Sequence, residues 1–384
     1  MSERLYIIAA RRTPLFRPAA ASGHTAMTLG IAAARAALLQ SGAESSDLDA
    51  VIVGQSLPAG LGMGVARQMA LAAGIADDVP AASVNMAALS GMKALIDACV
   101  HIKSGDADLI LTIAADAPSH SGFLLPAIAQ RGHLLGLDLL LHDALESRKF
   151  PLFHHAEQLA RRYPVPRSSQ DDFARTSLQQ AAIAQENGHC DIEIIQPDSG
   201  DTRDILSEPA APLAELRPLI DGGSITSGNS AALADGASAI LVASESALRR
   251  FSLTPLAEIT GYGCGGVAAD NGALGATPAI AQALERGNCR LEQVDRLEIE
   301  ETFAAEVLAI LHELAEEHEI PFAHLLERTN PGGGAIAFGH ALAASGHRLV
   351  TTLAYGLARD DHHLGLAAQG SADGLGTALL LRRM

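Results

Sequence analysis

A glycine-rich stretch ending in a histidine is the part of the sequence best suited to chemistry. Residues 330–348 read NPGGGAIAFGHALAASGHR, and an Ala- and Leu-rich segment follows Gly339 and His340. Glycine has no Cβ, so a run of glycines lets the backbone approach a ligand closely. Histidine titrates near neutral pH and can act as an acid or a base. A lone Gly-His pair usually marks only a turn and a surface histidine. Here we predict a rigidly held histidine at the start of a helix.

Strand-like and helix-like segments alternate along most of the chain, which predicts an α/β fold around this histidine. Short apolar runs typical of buried strands occur at residues 50–54, 81–84 and 108–115, with helix-forming segments between them. The alternation resumes near residue 237 and ends in two strands that we predict to form a hairpin. The two parts look like copies of one β-α-β-α-β-β layer, although no residue repeat accompanies them.

Composition narrows the class of protein. The 384 residues are 48% hydrophobic and carry a formal net charge of −17, which argues against nucleic acid and anionic membranes as partners. No apolar run reaches transmembrane length and the first residues lack a signal peptide, so we expect a cytoplasmic protein. The cysteines show no metal-like spacing, which predicts no metal site and a reducing compartment. They are Cys99, Cys190, Cys264 and Cys289.

The pattern loosens in the middle of the chain, which we interpret as an inserted, partly helical loop domain. Its adjacent histidines, His154 and His155, lack metal-like spacing, and we expect them to be solvated. The resulting division is an N-terminal half (1–117), an inserted loop domain (118–222), a return to the N-terminal half (223–253) and a C-terminal half (254–384).

Several segments, in the same order along the chain, resemble the signature segments of the thiolases, enzymes that make or cleave 3-ketoacyl-CoA. The glycine-rich stretch resembles the family's Asn-x-x-Gly-Gly-x-Ile-Ala-x-Gly-His-Pro-x-Gly pattern, with Ala341 and Ala343 in place of its Pro and Gly. The other segments are VNMAALSG at 84–91, SGDAD at 104–108, GSITSGN at 223–229, DGA at 235–237, EETFAA at 300–305 and GLAAQGSADGLG at 365–376.

This resemblance implies a thiolase fold, in which two similar α/β halves form a five-layer α-β-α-β-α stack and an inserted loop domain covers the CoA site. It implies acyl-CoA or CoA as substrate or ligand, with no separate cofactor. It also implies a homodimer or homotetramer formed through the N-terminal halves.

Three of the family's reactive residues are replaced in this chain, and one, the histidine, is kept. A thiolase uses a cysteine nucleophile before a helix and a second cysteine as acid/base; these positions are Ala88 and Gly370. His340 is intact and would hydrogen-bond the thioester oxygen or act as an acid/base. A neutral imidazole is expected there, because a helix N-terminus disfavours the imidazolium. The family's Asn that holds an oxyanion-binding water is Glu300, which fits only if it is protonated or turned away.

The resemblance also assigns residues that bind substrate. Asn229, Ser230, Ala231 and Gly339 are expected to line the pantetheine tunnel. The backbone amides of Ala88 and Ala372 are expected to form the oxyanion pocket, because amides need no particular side chain.

Two explanations of Ala88 stay open: an introduced Cys→Ala change, or natural loss of the Claisen chemistry. The further changes at Gly370 and Glu300 favour natural divergence. The predicted function is a thiolase-like acyl-CoA acyltransferase of the acetyl-CoA acetyltransferase or 3-ketoacyl-CoA thiolase type. The alternatives are a non-catalytic acyl-CoA-binding subunit beside a thiolase-like partner, or a cysteine-independent enzyme on CoA thioesters. Of the free cysteines, Cys264 is the candidate for a substitute nucleophile.

Overall fold

The computed structural model describes residues 3–17, 23–122, 152–195, 203–204 and 206–384. Its strands are β1 (Leu5–Arg12), β2 (Ala50–Gly54), β3 (Ala81–Val84), β4 (Leu109–Asp116), β5 (Gly236–Ser244), β6 (Ala257–Gly266), β7 (Arg296–Ile299), β8 (Leu364–Gly370) and β9 (Leu375–Arg383). The predicted C-terminal hairpin is confirmed, since β8 and β9 pair antiparallel.

The helices of the first part are α1 (Ala26–Ser41), α2 (Val65–Ala73), α3 (Ser90–Ser104), α4 (Leu152–Arg162), α5 (Arg167–Glu186) and α6 (Glu245–Phe251). Those of the second part are α7 (Ala276–Gly287), α8 (Ala304–Glu317), α9 (Phe322–Arg328), α10 (Ala335–Phe338) and α11 (Ala343–Arg359). A 3-10 turn at Ala269–Gly275 leads into α7.

Strand pairing shows that the chain contains two copies of one β-sheet unit, although the sequence has no residue repeat. Among the described residues the strand order is β3-β2-β4-β5-β1-β6-β9-β8-β7. The pairs β2–β4 and β7–β8 are parallel, whereas β4–β5, β8–β9, β1–β5 and β6–β9 are antiparallel. Strands β6, β7, β8 and β9 therefore repeat the order and direction of β1, β2, β4 and β5. The two copies meet where β1 pairs with β6.

Three apolar cores separate the layers. One core packs α1 and α2 against the outer face of the first copy, and another packs α7 and α8 against the outer face of the second copy. The central core holds α3 and α11 between the inner faces of both copies, where Leu95 and Leu353 are fully buried. Helix, sheet, helix, sheet and helix thus follow one another, as expected for the thiolase fold.

The central helices approach each other closely at their N-terminal ends. A Cβ at Gly91 on α3 would overlap the carbonyl oxygen of Ala343, the first residue of α11. A Cβ at Gly346 on α11 would lie 3.0 Å from the Met92 amide nitrogen and would overlap the Gln369 side chain. Glycine at both positions is what allows the segments before these helices to come together.

Most predicted elements are confirmed within a few residues, but the segment around His340 is not helical. We expected a helix over 340–357, whereas α11 begins at Ala343 after Leu342, whose φ of 48° is left-handed. The expected domain boundaries stay a prediction. No helix among the described residues is long and apolar enough to cross a membrane.

The close approach of α3 and α11 predicts a large cost for a side chain at Gly91. We expect Gly91→Ala to lower the free energy of unfolding by roughly 1–3 kcal/mol, the range for overpacked cores. Chemical denaturation measures this change. Gly122→Ala is the matched control, because a Cβ there meets no atom within 4 Å. Equal stability of the two variants would contradict the packing described here.

Candidate active site

His340 is held by backbone hydrogen bonds rather than by a helix. Its amide donates to the Ala232 carbonyl at 2.8 Å, and its own carbonyl accepts from the Ala234 amide at 2.9 Å. Gly339 has a φ of 101°, and a Cβ there would lie 2.8 Å from the Ala234 Cβ, so glycine is required for both reasons. The expectation that His340 starts a helix is therefore wrong. The helix-dipole argument for a neutral imidazole no longer applies.

Glu300 is the direct partner of His340. The Glu300 Oε1 atom lies 2.7 Å from Nδ1 of His340, and Ser345 Oγ lies 3.0 Å from the same nitrogen. The two side chains are buried, at 5% and 6% exposure for Glu300 and His340. Burial by itself would raise the pKa of Glu300, but the hydrogen bond from His340 and the positive charges of His340 and Arg348 hold it below its ordinary value. Glu300 is thus neither protonated nor turned away, which corrects the expectation.

An ionised Glu300 fixes the tautomer of His340. A carboxylate can only accept, so Nδ1 carries the proton and donates it to Glu300. In the neutral form of His340, Nε2 is therefore unprotonated, and no described residue hydrogen-bonds to that atom. Such an imidazole accepts a proton instead of donating to a thioester oxygen. The arrangement matches the oriented histidine of a hydrolytic triad, in which a carboxylate holds a general base.

Ala88 lies in a strained turn before α3. Ala87 adopts a left-handed φ of 49°, and its carbonyl accepts from Ser56 Oγ at 2.8 Å and from Ser90 Oγ at 2.5 Å. The position resembles the presentation of a nucleophile on a tight turn before a helix. The residue there has only a methyl group, so no covalent intermediate forms at it.

Asp116 connects the Ala88 turn to the His340 segment. Its carboxyl accepts from the amides of Ser56 at 3.0 Å, Leu57 at 3.0 Å and Ala343 at 3.0 Å. Burial raises the pKa of Asp116 to about 6 despite these hydrogen bonds. Since Ser56 also binds the Ala87 carbonyl, one buried carboxyl ties together the segments that carry Ala88 and His340.

The second cysteine position is closed. A Cβ at Gly370 would overlap the carbonyl oxygen of Ala273, which belongs to the 3-10 turn before α7. The turn occupies the space that a cysteine side chain would need. A substitution at Ala88 alone would therefore not restore the second cysteine of the family.

The backbone of the predicted tunnel residues pairs with the segment that follows Glu300. Ala231 donates to the Thr302 carbonyl at 3.0 Å, and Ser230 pairs with Phe303. The Asn229 side chain is fully buried and bonds within the protein, to Asp171, Ser224 and the Thr226 amide. Asn229 therefore shapes the turn, and its side chain is not available to a ligand. Substrate contacts of Ser230, Ala231, Gly339 and Ala372 stay predictions.

The four cysteines are free, and two of them are buried. The possibility of Cys264 as a substitute nucleophile stays a prediction. Burial raises the pKa of Cys99 and of Cys190 to about 12, so both are thiols. Burial also raises the pKa of Cys289. Cys264 lies on β6 and packs against the central core. Among the described residues, no group of three His, Cys, Asp or Glu could hold a metal ion.

His154 and His155, which we expected to be solvated, are half-buried on α4, and a Cβ at Gly272 would lie 3.6 Å from His155 Cβ. Sequence reasoning missed Glu306. Glu306 lies in the first turn of α8 and is 4% exposed. Its signal is present in the sequence, since an acidic residue among the apolar positions of a buried helix must be neutral or paired.

Comparison with known proteins agrees with this geometry. The family model "Thiolase, N-terminal domain" matches residues 5–246 and "Thiolase, C-terminal domain" matches residues 253–383. The acetyl-CoA acetyltransferase of Pseudomonas aeruginosa is 36% identical over 98% of each chain, and that of Escherichia coli is 34% identical over 94% of each chain. The chain belongs to the thiolase family.

Solved structures show the same fold along the whole chain. Human mitochondrial 3-ketoacyl-CoA thiolase in complex with CoA superimposes with a TM-score of 0.91 at 27% identity, covering 100% of this chain and 98% of the human one. The Bacillus anthracis acetyl-CoA acetyltransferase gives a TM-score of 0.92 at 28% identity, covering 100% and 99%.

The packing at Gly370 predicts that the second cysteine cannot simply be restored. We expect Gly370→Cys to lower the free energy of unfolding by roughly 1–3 kcal/mol or more, because backbone must move. Gly266→Cys, at the end of β6, is the control, since a Cβ there is 3.4 Å from Leu375 Cδ2 in ordinary contact. If Gly370→Cys were as stable as the control in denaturation, the 3-10 turn at Ala269–Gly275 would be able to move without cost, which would contradict this prediction.

Proposed function

We propose that this protein binds an acyl-CoA and acts on it by general-base chemistry at His340, without an acyl-cysteine intermediate. Family membership supports a CoA thioester as ligand, because relatives are named acetyl-CoA acetyltransferases and one solved thiolase holds CoA. Acyl transfer by the cysteine route, the activity of that class, has no nucleophile at Ala88. A cysteine-independent reaction on the same class of substrate fits the residues that are present.

The observation that carries this proposal is the 2.7 Å contact between Glu300 and His340. The carboxylate orients the imidazole, leaves Nε2 unprotonated and stabilises the imidazolium that forms when Nε2 accepts a proton. Positioned general bases of this kind typically contribute about 10²–10⁴-fold in rate. The negative charge of Glu300 would destabilise an oxyanion on its own. When His340 is an imidazolium beside that oxyanion, Glu300 balances the positive charge of the imidazolium.

The reaction step is removal of a proton from the carbon next to the thioester carbonyl. The Nε2 lone pair takes the proton, the C–H electrons form a carbon–carbon double bond, and the carbonyl electrons move to oxygen. The products of the step are an enolate and an imidazolium. The amides of Ala88 and Ala372 are the candidates to bind the enolate oxygen. Return of the proton to carbon restores both partners.

A second candidate is an acyl-CoA-binding subunit without turnover. Ala88 and the closed position at Gly370 favour it, because both reactive groups of the family are absent. Such a subunit would work beside a thiolase-like partner. Assembly as a homodimer or homotetramer is a proposal in either case.

His340→Ala separates the two candidates. Proton exchange is measured by NMR as deuterium entering the acetyl methyl of acetyl-CoA in heavy water, and binding is measured by calorimetry. We expect wild-type protein to catalyse exchange, and His340→Ala to slow it by about 100-fold or more, the effect of a lost general base. Glu300→Gln keeps an acceptor but loses the charge, so a decrease of at least about tenfold is expected.

His324→Ala is the control for that experiment, since His324 is exposed on α9. It should exchange at the wild-type rate. Binding of acetyl-CoA without exchange by the wild-type protein would support the binding subunit. Exchange that is indifferent to His340→Ala would refute the proposed base.

Ala88→Cys tests whether the turn still presents a nucleophile. We expect acetyl-CoA to acetylate this cysteine, seen by mass spectrometry of the peptide, because the helix start and the nearby His340 favour a thiolate. Thiolysis and condensation should stay slow, since Gly370 supplies no proton carrier. Ala88→Ser, of similar size but far less nucleophilic, should remain unmodified. Full thiolase turnover by Ala88→Cys alone would argue that Ala88 is the one change separating this chain from an active thiolase.

A further inference from the structure

A groove lies between α5 and α9, at a place apart from the candidate active site. Helix α8 packs against both of these helices and contributes residues to the lining. The cavity volume is about 760 Å³, and sites for small molecules typically measure roughly 300–1,000 Å³. Ala88, His340 and Gly370 do not line this groove. A molecule bound in it would therefore not occupy the predicted acyl-CoA site.

Much of the lining is apolar and aromatic. The Phe322 ring of α9 stacks on the His312 ring of α8, with ring centroids 4.1 Å apart and an angle of 18° between the planes. Both rings line the groove, together with Phe173, Leu308 and Leu326. Burial lowers the pKa of His312, so its ring is mainly neutral at pH 7 and does not repel a cation. This part of the groove fits the apolar body of a ligand.

Three buried polar side chains form a hydrogen-bonded cluster that also lines the groove. The Glu301 carboxyl accepts from Ser177 Oγ and from Asn330 Nδ2, each at 2.7 Å, and from the Ile336 amide at 3.2 Å. All of these donors are neutral groups, and burial raises the pKa of Glu301 to about 7. A positive charge in the groove would favour the ionised carboxylate. The buried cluster is thus better suited to a cation than to an anion.

Two further carboxylates line the groove where it opens to solvent. Asp172 on α5 and Glu327 on α9 are both exposed. Asp172 also pairs with Arg175, one turn along its own helix, at 2.5 Å. Neither Lys nor Arg occurs among the described residues that line the groove. Carboxylates beside aromatic faces, without a basic residue among them, are complementary to a positive charge on an apolar body.

We propose that the groove between α5, α8 and α9 binds a small organic cation, a primary amine or a guanidine that carries an apolar group. The apolar group would lie against Phe173, Leu308 and the stacked rings, and the cation would lie between the carboxylates. Exposed charge pairs alone bind weakly, so burial of the apolar group supplies much of the affinity. The inference does not depend on the proposed function, because it concerns binding at another place.

Calorimetry of the full-length protein with three probes of similar shape tests this inference. Phenethylamine is a cation with a phenyl ring, phenethyl alcohol is its neutral counterpart and hydrocinnamate is an anionic one. We expect phenethylamine to bind with a Kd of about 1 mM or tighter. The alcohol should bind at least about fivefold more weakly, and the anion more weakly still. Added salt should weaken binding of the amine, because it screens the carboxylates.

Variants of the lining locate the binding site. Asp172→Asn and Glu327→Gln should each weaken binding of phenethylamine by about two- to fivefold, the effect of one exposed charge. Ala323 is exposed on α9 and lines the groove. Ala323→Lys places a fixed ammonium there and should weaken binding at least about tenfold, whereas Ala323→Gln, uncharged and of similar length, should weaken it less.

Glu316→Gln is the matched control, because Glu316 is exposed on α8 outside the groove and its replacement removes the same charge. It should bind phenethylamine like wild type. Thermal unfolding of each variant checks that it is folded. His340→Ala should also bind like wild type, and loss of binding in that variant would place the amine at the acyl-CoA site and overturn the inference.

Three other results would overturn it as well. One is no binding of phenethylamine at concentrations up to about 10 mM. Another is equal affinity for the amine and the alcohol. The third is unchanged affinity in both Ala323→Lys and a variant that combines Asp172→Asn with Glu327→Gln. Each result leaves the proposed function untouched, because proton exchange at His340 is measured separately.

Discussion

The close contact between the N-terminal ends of α3 and α11 is the constraint on which the rest of the structure depends. Each helix lies at the centre of its own copy of the fold and precedes an equivalent strand, β4 or β8. The segments before them carry Ala88 and His340, so the duplication brings the two positions together from distant parts of the chain. Gly91 and Gly346 make this approach sterically feasible, because any Cβ there meets backbone or a buried side chain.

Buried carboxyls hold this centre together, and each has a different electrostatic state. Asp116 accepts three backbone amides and links both segments, yet burial still raises its pKa to about 6. Glu301, next to Glu300, accepts from Ser177 and Asn330, and burial raises its pKa to about 7. Glu300 is the exception, with a lowered pKa that follows from its contact with His340. Of these three carboxyls, Glu300 is thus the one whose pKa is lowered.

The sequence predicts the helices and strands well, but it does not predict which buried side chains are ionised. Short apolar strands are encoded locally, so β2 (Ala50–Gly54) and β3 (Ala81–Val84) begin and end where their apolar runs do. The duplication is visible in strand order without a residue repeat, because pairing depends on topology and not on identity. The start of α11 was misplaced at His340, since the left-handed Leu342 that delays the helix has no sequence signal.

The contacts that decide the chemistry arise between residues far apart in the chain. The Glu300–His340 hydrogen bond joins positions 40 residues apart, and the space beside Gly370 is filled by Ala273 from another element. A resemblance assigns Glu300 to a position, but the position alone does not say whether its carboxyl is ionised. That depends on the partners supplied by the folded chain.

These contacts also explain how the departures from the family pattern fit one another. A carboxylate at position 300 would be harmful in a site where histidine must donate a hydrogen bond to an oxyanion. In this chain the carboxylate accepts a hydrogen bond from Nδ1–H, which leaves Nε2 of the neutral imidazole as an acceptor. With no thiol at Ala88 and no room for one at Gly370, His340 is the remaining reactive group of the family's set. Under the proposed function, we interpret these substitutions as one consistent change, from covalent acyl transfer towards base chemistry on the same class of ligand.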